Sequence, residues 1–230
     1  MFTKSNLSKM LFLDIETCGK YKNYEDFLAA DPEGASIFAG KCKRLNFGDP
    51  SEGYLDKVAL FPEFGKIVCL SYGIWADGII TVKTIEDEDE EILLKKAANL
   101  FNKAATKSLA PTGWNIKNFD IPWIVRKMLM HGIAVPSSIE THNKKPWEVS
   151  IIDLKEWWKS FSTLDVTFEE AAYSMSIPSP KDEMHGGQVH ENYWFKDNKT
   201  GIFTYCEKDV KTMILMIEKI YYTYNAGSLV

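Results

Sequence analysis

The stretch Met10-Leu11-Phe12-Leu13-Asp14-Ile15-Glu16-Thr17-Cys18-Gly19 decides how the rest of the chain is read. Four apolar residues lead into two acids that stand two apart. Side chains alternate along a strand, so residues two apart point the same way. A buried strand over about residues 10–16 therefore presents Asp14 and Glu16 on one face. Like charges placed side by side in a partly desolvated site repel, and each also loses hydration. A bound divalent cation is the simplest counterweight. The alternative for an isolated Asp-x-Glu is a strand that runs out into solvent, and only the remainder of the chain separates the two.

Two further segments bear on that choice. Gly113-Trp114-Asn115-Ile116-Lys117-Asn118-Phe119-Asp120 reads as a strand end and a turn. A helix follows, with Ile121, Ile124, Val125, Met128 and Leu129 at helical spacing. Asp120 opens that helix and Pro122 suits its first turn; alone, such an acid is a helix cap or a dipole partner. Tyr205-Cys206-Glu207-Lys208-Asp209 begins a second periodic helix, whose apolar stripe runs through Cys206, Val210, Met213, Ile214, Ile217, Ile220 and Tyr221. Tyr205 and Asp209 are four apart and project from the same side, flanking the stripe.

In order and spacing, Asp14-Ile15-Glu16, Asn115 through Phe119-Asp120, and Tyr205 through Asp209 resemble the three motifs of the DEDD superfamily of 3′→5′ exonucleases, which share an RNase H-like fold. Thr204 stands where the histidine version carries His, and Tyr205 where the tyrosine version carries Tyr, so the resemblance is to the DEDDy branch. The second motif looks like that of the proofreading exonuclease domain of family B DNA polymerases. Residues 143–148, 177–181 and 205–210 resemble a group of stand-alone bacterial and phage exonucleases related to that domain. The likeness runs from about residue 10 to 222.

The resemblance implies two divalent metal ions, Mg²⁺ or Mn²⁺, held by Asp14, Glu16, Asp120 and Asp209. Hard cations want oxygen ligands, which suits an all-carboxylate set. By the same resemblance Asp14, Glu16 and Asp209 hold the metal that carries the attacking water, Asp14 bridges to the second metal with Asp120 helping to place it, and Tyr205 orients the water. Thr17, Asn115 and Phe119 are implied substrate contacts; Phe119 is equally readable as a core aromatic, and Gly19 as a plain turn glycine or a point of close backbone approach. The implied substrate is the 3′ end of single-stranded DNA. Two alternatives stay open: an exoribonuclease of the RNase D kind, and a catalytically inactive nucleic-acid-binding module on the same fold.

The 230 residues, 45% of them hydrophobic, suffice for one packed domain over 1–230, and no linker-like break divides them. A net charge of −5 argues against a broad basic nucleic-acid footprint. Lys41, Lys43, Arg44, Lys117, Arg126 and Lys127 read as phosphate contacts or as solvated surface charges, the second being the plainer reading. The acidic run Glu86 to Glu91 suits a helix N-terminus. Four cysteines without CxxC spacing fit reduced thiols in a cytoplasm, and the four histidines form no zinc pattern. His185 and His190 fall in a glycine-containing stretch read as a loop. No apolar run approaches the ~20 residues of a membrane span.

The expected architecture is an α/β, RNase H-like mixed five-stranded sheet flanked by helices. A mostly helical insertion follows the first strand, with residues 24–45 at its centre and its role open. Hairpin strands are expected over 67–75 and 79–82 around Asp77-Gly78, a strand ending at Asn115, and a short one at 150–153. Further helices are expected near 88–107, 154–161, 167–174 and 202–222.

Overall fold

The structure, a computed structural model, describes residues 3–145, 148–178 and 184–225. Parts of two segments that carry the family resemblance, Pro146-Trp147 and Ser179-Pro180-Lys181, lie outside the described residues.

After a single helical turn, α1 (Lys4–Leu7), the first strand β1 runs Met10–Gly19. Helices α2 (Tyr24–Ala30), α3 (Pro32–Leu45) and α4 (Pro50–Lys57) form the insertion, followed by a 3₁₀ turn at Val58–Leu60. Strands β2 (Gly65–Ala76) and β3 (Ile79–Glu86) make a hairpin. Its two-residue loop has both φ angles positive, Asp77 at 51° and Gly78 at 85°, the backbone that a tight twisted hairpin requires. Helix α5 (Glu90–Thr106), strand β4 (Ala110–Gly113), helix α6 (Asp120–Met130), strand β5 (Ile152–Asp153), helices α7 (Leu154–Lys159) and α8 (Phe168–Ser174), α9 (Val189–Trp194) and the long α10 (Lys199–Asn225) complete the chain.

The sheet order is β3-β2-β1-β4-β5. β3, β2 and β1 are antiparallel, whereas β1, β4 and β5 are parallel. The central strand β1 is covered on both faces, and its alternation sorts the core. Leu11, Leu13 and Ile15 pack with Leu93, Leu94 and Phe101 of α5 and Ile121 and Ile124 of α6. Met10 and Phe12 pack on the opposite face with Val210, Met213 and Ile214 of α10. Each such buried side chain contributes roughly 2 kcal/mol. Farther along β1, Cys18 packs with Tyr205 and Cys206 of α10. Asp14 and Glu16 therefore fall between two apolar patches on the face that α10 crosses. That crossing is close: a Cβ on Gly73 would lie 2.9 Å from side-chain atoms of both Val210 and Ile214.

The insertion has its own aromatic core of Phe27, Phe38, Tyr54 and Phe64. It is pinned to the end of β1. The Thr17 hydroxyl donates to the Ala59 carbonyl at 2.8 Å, and the Lys20 N–H donates to the Phe64 carbonyl at 3.1 Å.

Three features depart from the sequence expectation. The strand expected to end at Asn115 stops at Gly113, because Asn115 turns into the left-handed region with φ 58°. The stretch around His190 is not all loop: α9 forms there, a helix of six residues without an apolar stripe of its own. Lys127 is not a surface charge. It is 3% exposed, its ammonium lying 2.9 Å from Glu90 and donating to the Gly65 carbonyl at 2.8 Å.

Candidate active site

The three acidic motifs meet where β1, the turn before α6, and α10 converge. Asp14 and Glu16 share one face of β1, as the strand period requires. A register shift opposite them skips Val68: Glu16 pairs with Cys69, but Thr17 pairs with Ile67. Such a bulge bends the strand and re-aims its side chains. The bulged backbone is held from α5, where Glu90 accepts the Ile67 N–H at 2.7 Å while its other oxygen meets Lys127.

Asp120 reaches β1 from the start of α6. Its carboxylate accepts the Ile15 N–H at 3.0 Å, at the residue between Asp14 and Glu16. The last paired residue of β1 against β4 is Phe12, so Ile15 lies past the end of that ladder and Asp120 satisfies a buried donor the sheet leaves over. The turn carrying Asp120 is fixed in turn by Asp153, at the end of β5. This buried carboxylate accepts backbone N–H groups of Asn115 and Lys117, both at 3.1 Å, and of Lys155 and Glu156 in α7.

Helix α10 brings Tyr205, Cys206 and Asp209, all buried. Its start is capped by Asn198, whose side-chain oxygen accepts the Gly201 N–H at 3.1 Å. The Cys206 thiol lies 3.4 Å from the Asp14 carbonyl and 3.5 Å from a carboxylate oxygen of Asp14, positioned to donate to either. Ligand atoms of Asp14, Glu16 and Cys206 lie within 4.8 Å of one another, a grouping able to hold a metal ion.

The electrostatics follow from this crowding. Burial, then the charges of Asp120 and Asp209, push the Asp14 carboxyl well above the ordinary range. Burial and the charge of Asp14 do the same to Glu16. Asp120 is raised to about 7, by burial first; hydrogen bonds from its own N–H and from Ile15 pull the other way. Tyr205 is raised by burial, then by the charges of Asp209, Glu16 and Asp14, so its hydroxyl keeps its proton. Among the described residues, no lysine or arginine forms a salt bridge with Asp14, Glu16 or Asp120. The donors are predominantly hard carboxylate oxygens whose charge lacks a protein counter-ion, which suits a hard divalent cation.

The implied substrate contacts are placed unevenly. Asn115 stands in its left-handed turn five residues before Asp120, its side-chain oxygen accepting from the Asn118 amide at 3.1 Å. Phe119 is half-buried and rests against Trp123, at a centroid distance of 6.2 Å. Thr17 is buried, and its hydroxyl serves the insertion. Gly19 offers no free backbone to a ligand: His190 accepts its N–H at 3.0 Å and the Trp194 indole donates to its carbonyl at 2.9 Å. Sequence reasoning did not assign the roles of Asp153, which braces the turn before Asp120, of Cys206, which contacts Asp14, or of His190, which holds the end of β1 at Gly19. Their only sequence signals were a polar residue ending a short strand, a cysteine beside a motif tyrosine, and a histidine in a presumed loop.

A family model described as a predicted 3′–5′ exonuclease related to the exonuclease domain of PolB matches residues 60–225. The chain belongs to this family. The matched stretch contains Asp120, Tyr205 and Asp209; Asp14 and Glu16 precede it and join the site through β1. The fold is also that of part of the family B DNA polymerase from the hyperthermophilic archaeon Pyrobaculum calidifontis. That match has a TM-score of 0.60 at 15% identity and covers 92% of this chain. The chain spans 24% of that polymerase. No curated protein matches the chain. The RNase H-like mixed sheet and the relationship to proofreading exonucleases expected from the motifs are thus both found, and the chain's family is one of predicted 3′–5′ exonucleases.

Proposed function

We propose that the protein is a two-metal-ion 3′→5′ exodeoxyribonuclease that removes nucleoside 5′-monophosphates from single-stranded DNA ends. The observation carrying this reading is the convergence of Asp14 and Glu16 from the first motif, Asp120 from the second and Asp209 from the third, close enough that burial and mutual repulsion push the carboxyls of Asp14, Glu16 and Asp120 above the ordinary range. Asp14, Glu16, Asp120 and Asp209 would hold Mg²⁺ or Mn²⁺. When bound, the metals lower the pKa of a water and stabilise charge on the departing 3′-oxygen.

The chain's own residues do the rest. Water loses a proton to solvent and forms a new bond to the phosphorus of the terminal nucleotide, and the bond from phosphorus to the 3′-oxygen of the preceding nucleotide breaks, that oxygen taking a proton from solvent. Tyr205 retains its proton, so it aims the attacking water by hydrogen bonding and does not act as the base. Asp120 keeps β1 in register at Ile15, which sets the spacing of Asp14 and Glu16. Asn115 and the half-buried Phe119 would contact the substrate strand by side chain, and Thr17 would do so through its backbone, because its hydroxyl is committed to Ala59. A DNA substrate is supported by the family's relation to a DNA polymerase domain. Four free, buried cysteines fit a reducing cytoplasm, and among the described residues no helix is long and apolar enough to cross a membrane.

Gel-resolved digestion of matched 5′-labelled DNA and RNA oligonucleotides tests the reading. A ladder shortening from the 3′ end in Mg²⁺ or Mn²⁺, absent in EDTA and faster on DNA, is expected. Faster cleavage of RNA would move the protein to the exoribonuclease alternative, and intact oligonucleotides throughout would move it to a binding module.

A further inference from the structure

Beside the Asn115–Asp120 turn opens a polar cleft of about 390 Å³, of whose lining the proposed function uses Asn115 alone. Asn115 and Asn118 line it from the turn, Lys155 and Lys159 from α7, and Asp165 from the loop that follows. Its remaining acids are engaged. Asp153 accepts four backbone N–H groups, and Glu156 pairs with Lys117 at 2.6 Å. Lys155 and Lys159 are instead neutralised by Asp165, at 2.8 and 3.9 Å.

The three side chains differ in how firmly they are placed. Those of Lys155 and Lys159 are 21% and 25% exposed, so their stems are packed and their ammonium groups held in position. The Asp165 side chain is 75% exposed. Its carboxyl sits below the ordinary range through hydrogen bonds from Lys155 and the Val166 N–H. An ion pair with so exposed a partner is screened by water and weak, so another anion can take its place.

A 3′→5′ exonuclease has a single nucleotide on the 3′ side of the bond it cuts, and the rest of the strand must leave on the 5′ side. We propose that this cleft is a second subsite for that strand: a backbone phosphate 5′ of the scissile bond displaces Asp165 and binds Lys155 and Lys159. Contacts to the backbone position a strand without reading its sequence. Asp165 then acts as a built-in competitor, which keeps an acidic protein from presenting bare lysines when no strand is bound. The subsite rests on the exonuclease reading, and its test separates the two.

Anisotropy of a short 5′-labelled oligothymidylate in Ca²⁺, across a salt series, reads the subsite, with thymidine monophosphate as the second ligand. The double variant Lys155→Ala/Lys159→Ala is expected to weaken oligonucleotide binding at least fivefold. It should also flatten the log K against log salt slope by about 0.7, the value for one single-strand phosphate contact. Its affinity for the monophosphate should stay at the wild-type level. Asp165→Asn is expected to tighten oligonucleotide binding by roughly two- to fivefold, a gain that misfolding does not mimic. A wild-type slope in the double variant, or equal losses for both ligands, would overturn the subsite. Hydrolysis in Mg²⁺ is followed separately: its absence in the wild type counts against the exonuclease reading, while intact hydrolysis with an unchanged slope removes the subsite alone.

Discussion

The Asp120 carboxylate accepts the Ile15 N–H while facing the charges of Asp153 and Asp209, and the two relationships pull its protonation in opposite directions. That dual position separates two substitutions. Asp120→Asn keeps an acceptor oxygen for Ile15, so its melting temperature should stay near wild type while turnover falls at least about 100-fold, a loss of a few kcal/mol of transition-state stabilisation. Asp120→Ala also strands a buried N–H in β1, adding a stability loss of about 1–3 kcal/mol by denaturant titration. If Asn and Ala lose stability equally, the Ile15 bond is not what Asp120 supplies to the fold. Asp153→Asn is the companion case. It sets an amide against N–H groups that require acceptors, and so should lower kcat by loosening the Asn115 turn while metal binding at Asp14 and Glu16 persists. At this scale the identities of the acids were legible, because each stands in a motif of fixed spacing. The contact of Cys206 with Asp14 and the role of Asp153 were not, since both are relations between elements far apart in the chain.

Between elements, His190 joins α9 to the end of β1. Its Nδ1 accepts the Gly19 N–H, so its Nε2 carries the proton and donates to the Lys22 carbonyl at 2.9 Å. The ring lies between those of Tyr54 and Phe195, and burial lowers its pKa below 6.5. The unfolded chain takes up a proton near pH 6.5 and the folded one resists it. The stability from His190 is therefore present above that pH and falls as the pH drops toward the folded value, by up to about 1.4 kcal/mol per pH unit. Denaturant titrations from pH 7 downward should show this loss in the wild type and not in His190→Asn; parallel profiles would exclude the clamp. The buried Lys127–Glu90 pair behaves differently. Lys127→Met leaves Glu90 buried without its main partner and should cost about 3–5 kcal/mol in the same assay, whereas a surface lysine would cost under 1. The hairpin, α5, α6 and α10 were legible because each is long and periodic or carries a two-residue turn signal. Helix α9 was too short to show a period, and Lys127 looked solvated because a helix's sequence does not display what its face meets.

Across the whole molecule, the order β3-β2-β1-β4-β5 puts the two-acid strand at the centre of the sheet and lets α10 cross its acidic face. The net charge of −5 then becomes intelligible, since the carboxylates at the site are themselves part of it. The fold holds those carboxylates together at a cost that a bound divalent cation would offset. Thermal unfolding of the wild type and Asp14→Asn, each in EDTA and in Mn²⁺, measures that cost. Asp14→Asn should melt above the wild type in EDTA, because one repelling carboxylate is gone. Mn²⁺ at about 100 times its Kd should raise the wild type by roughly 5–10 °C and leave the variant nearly unmoved. A variant that melts below the wild type in EDTA, and gains as much from Mn²⁺, would contradict the account.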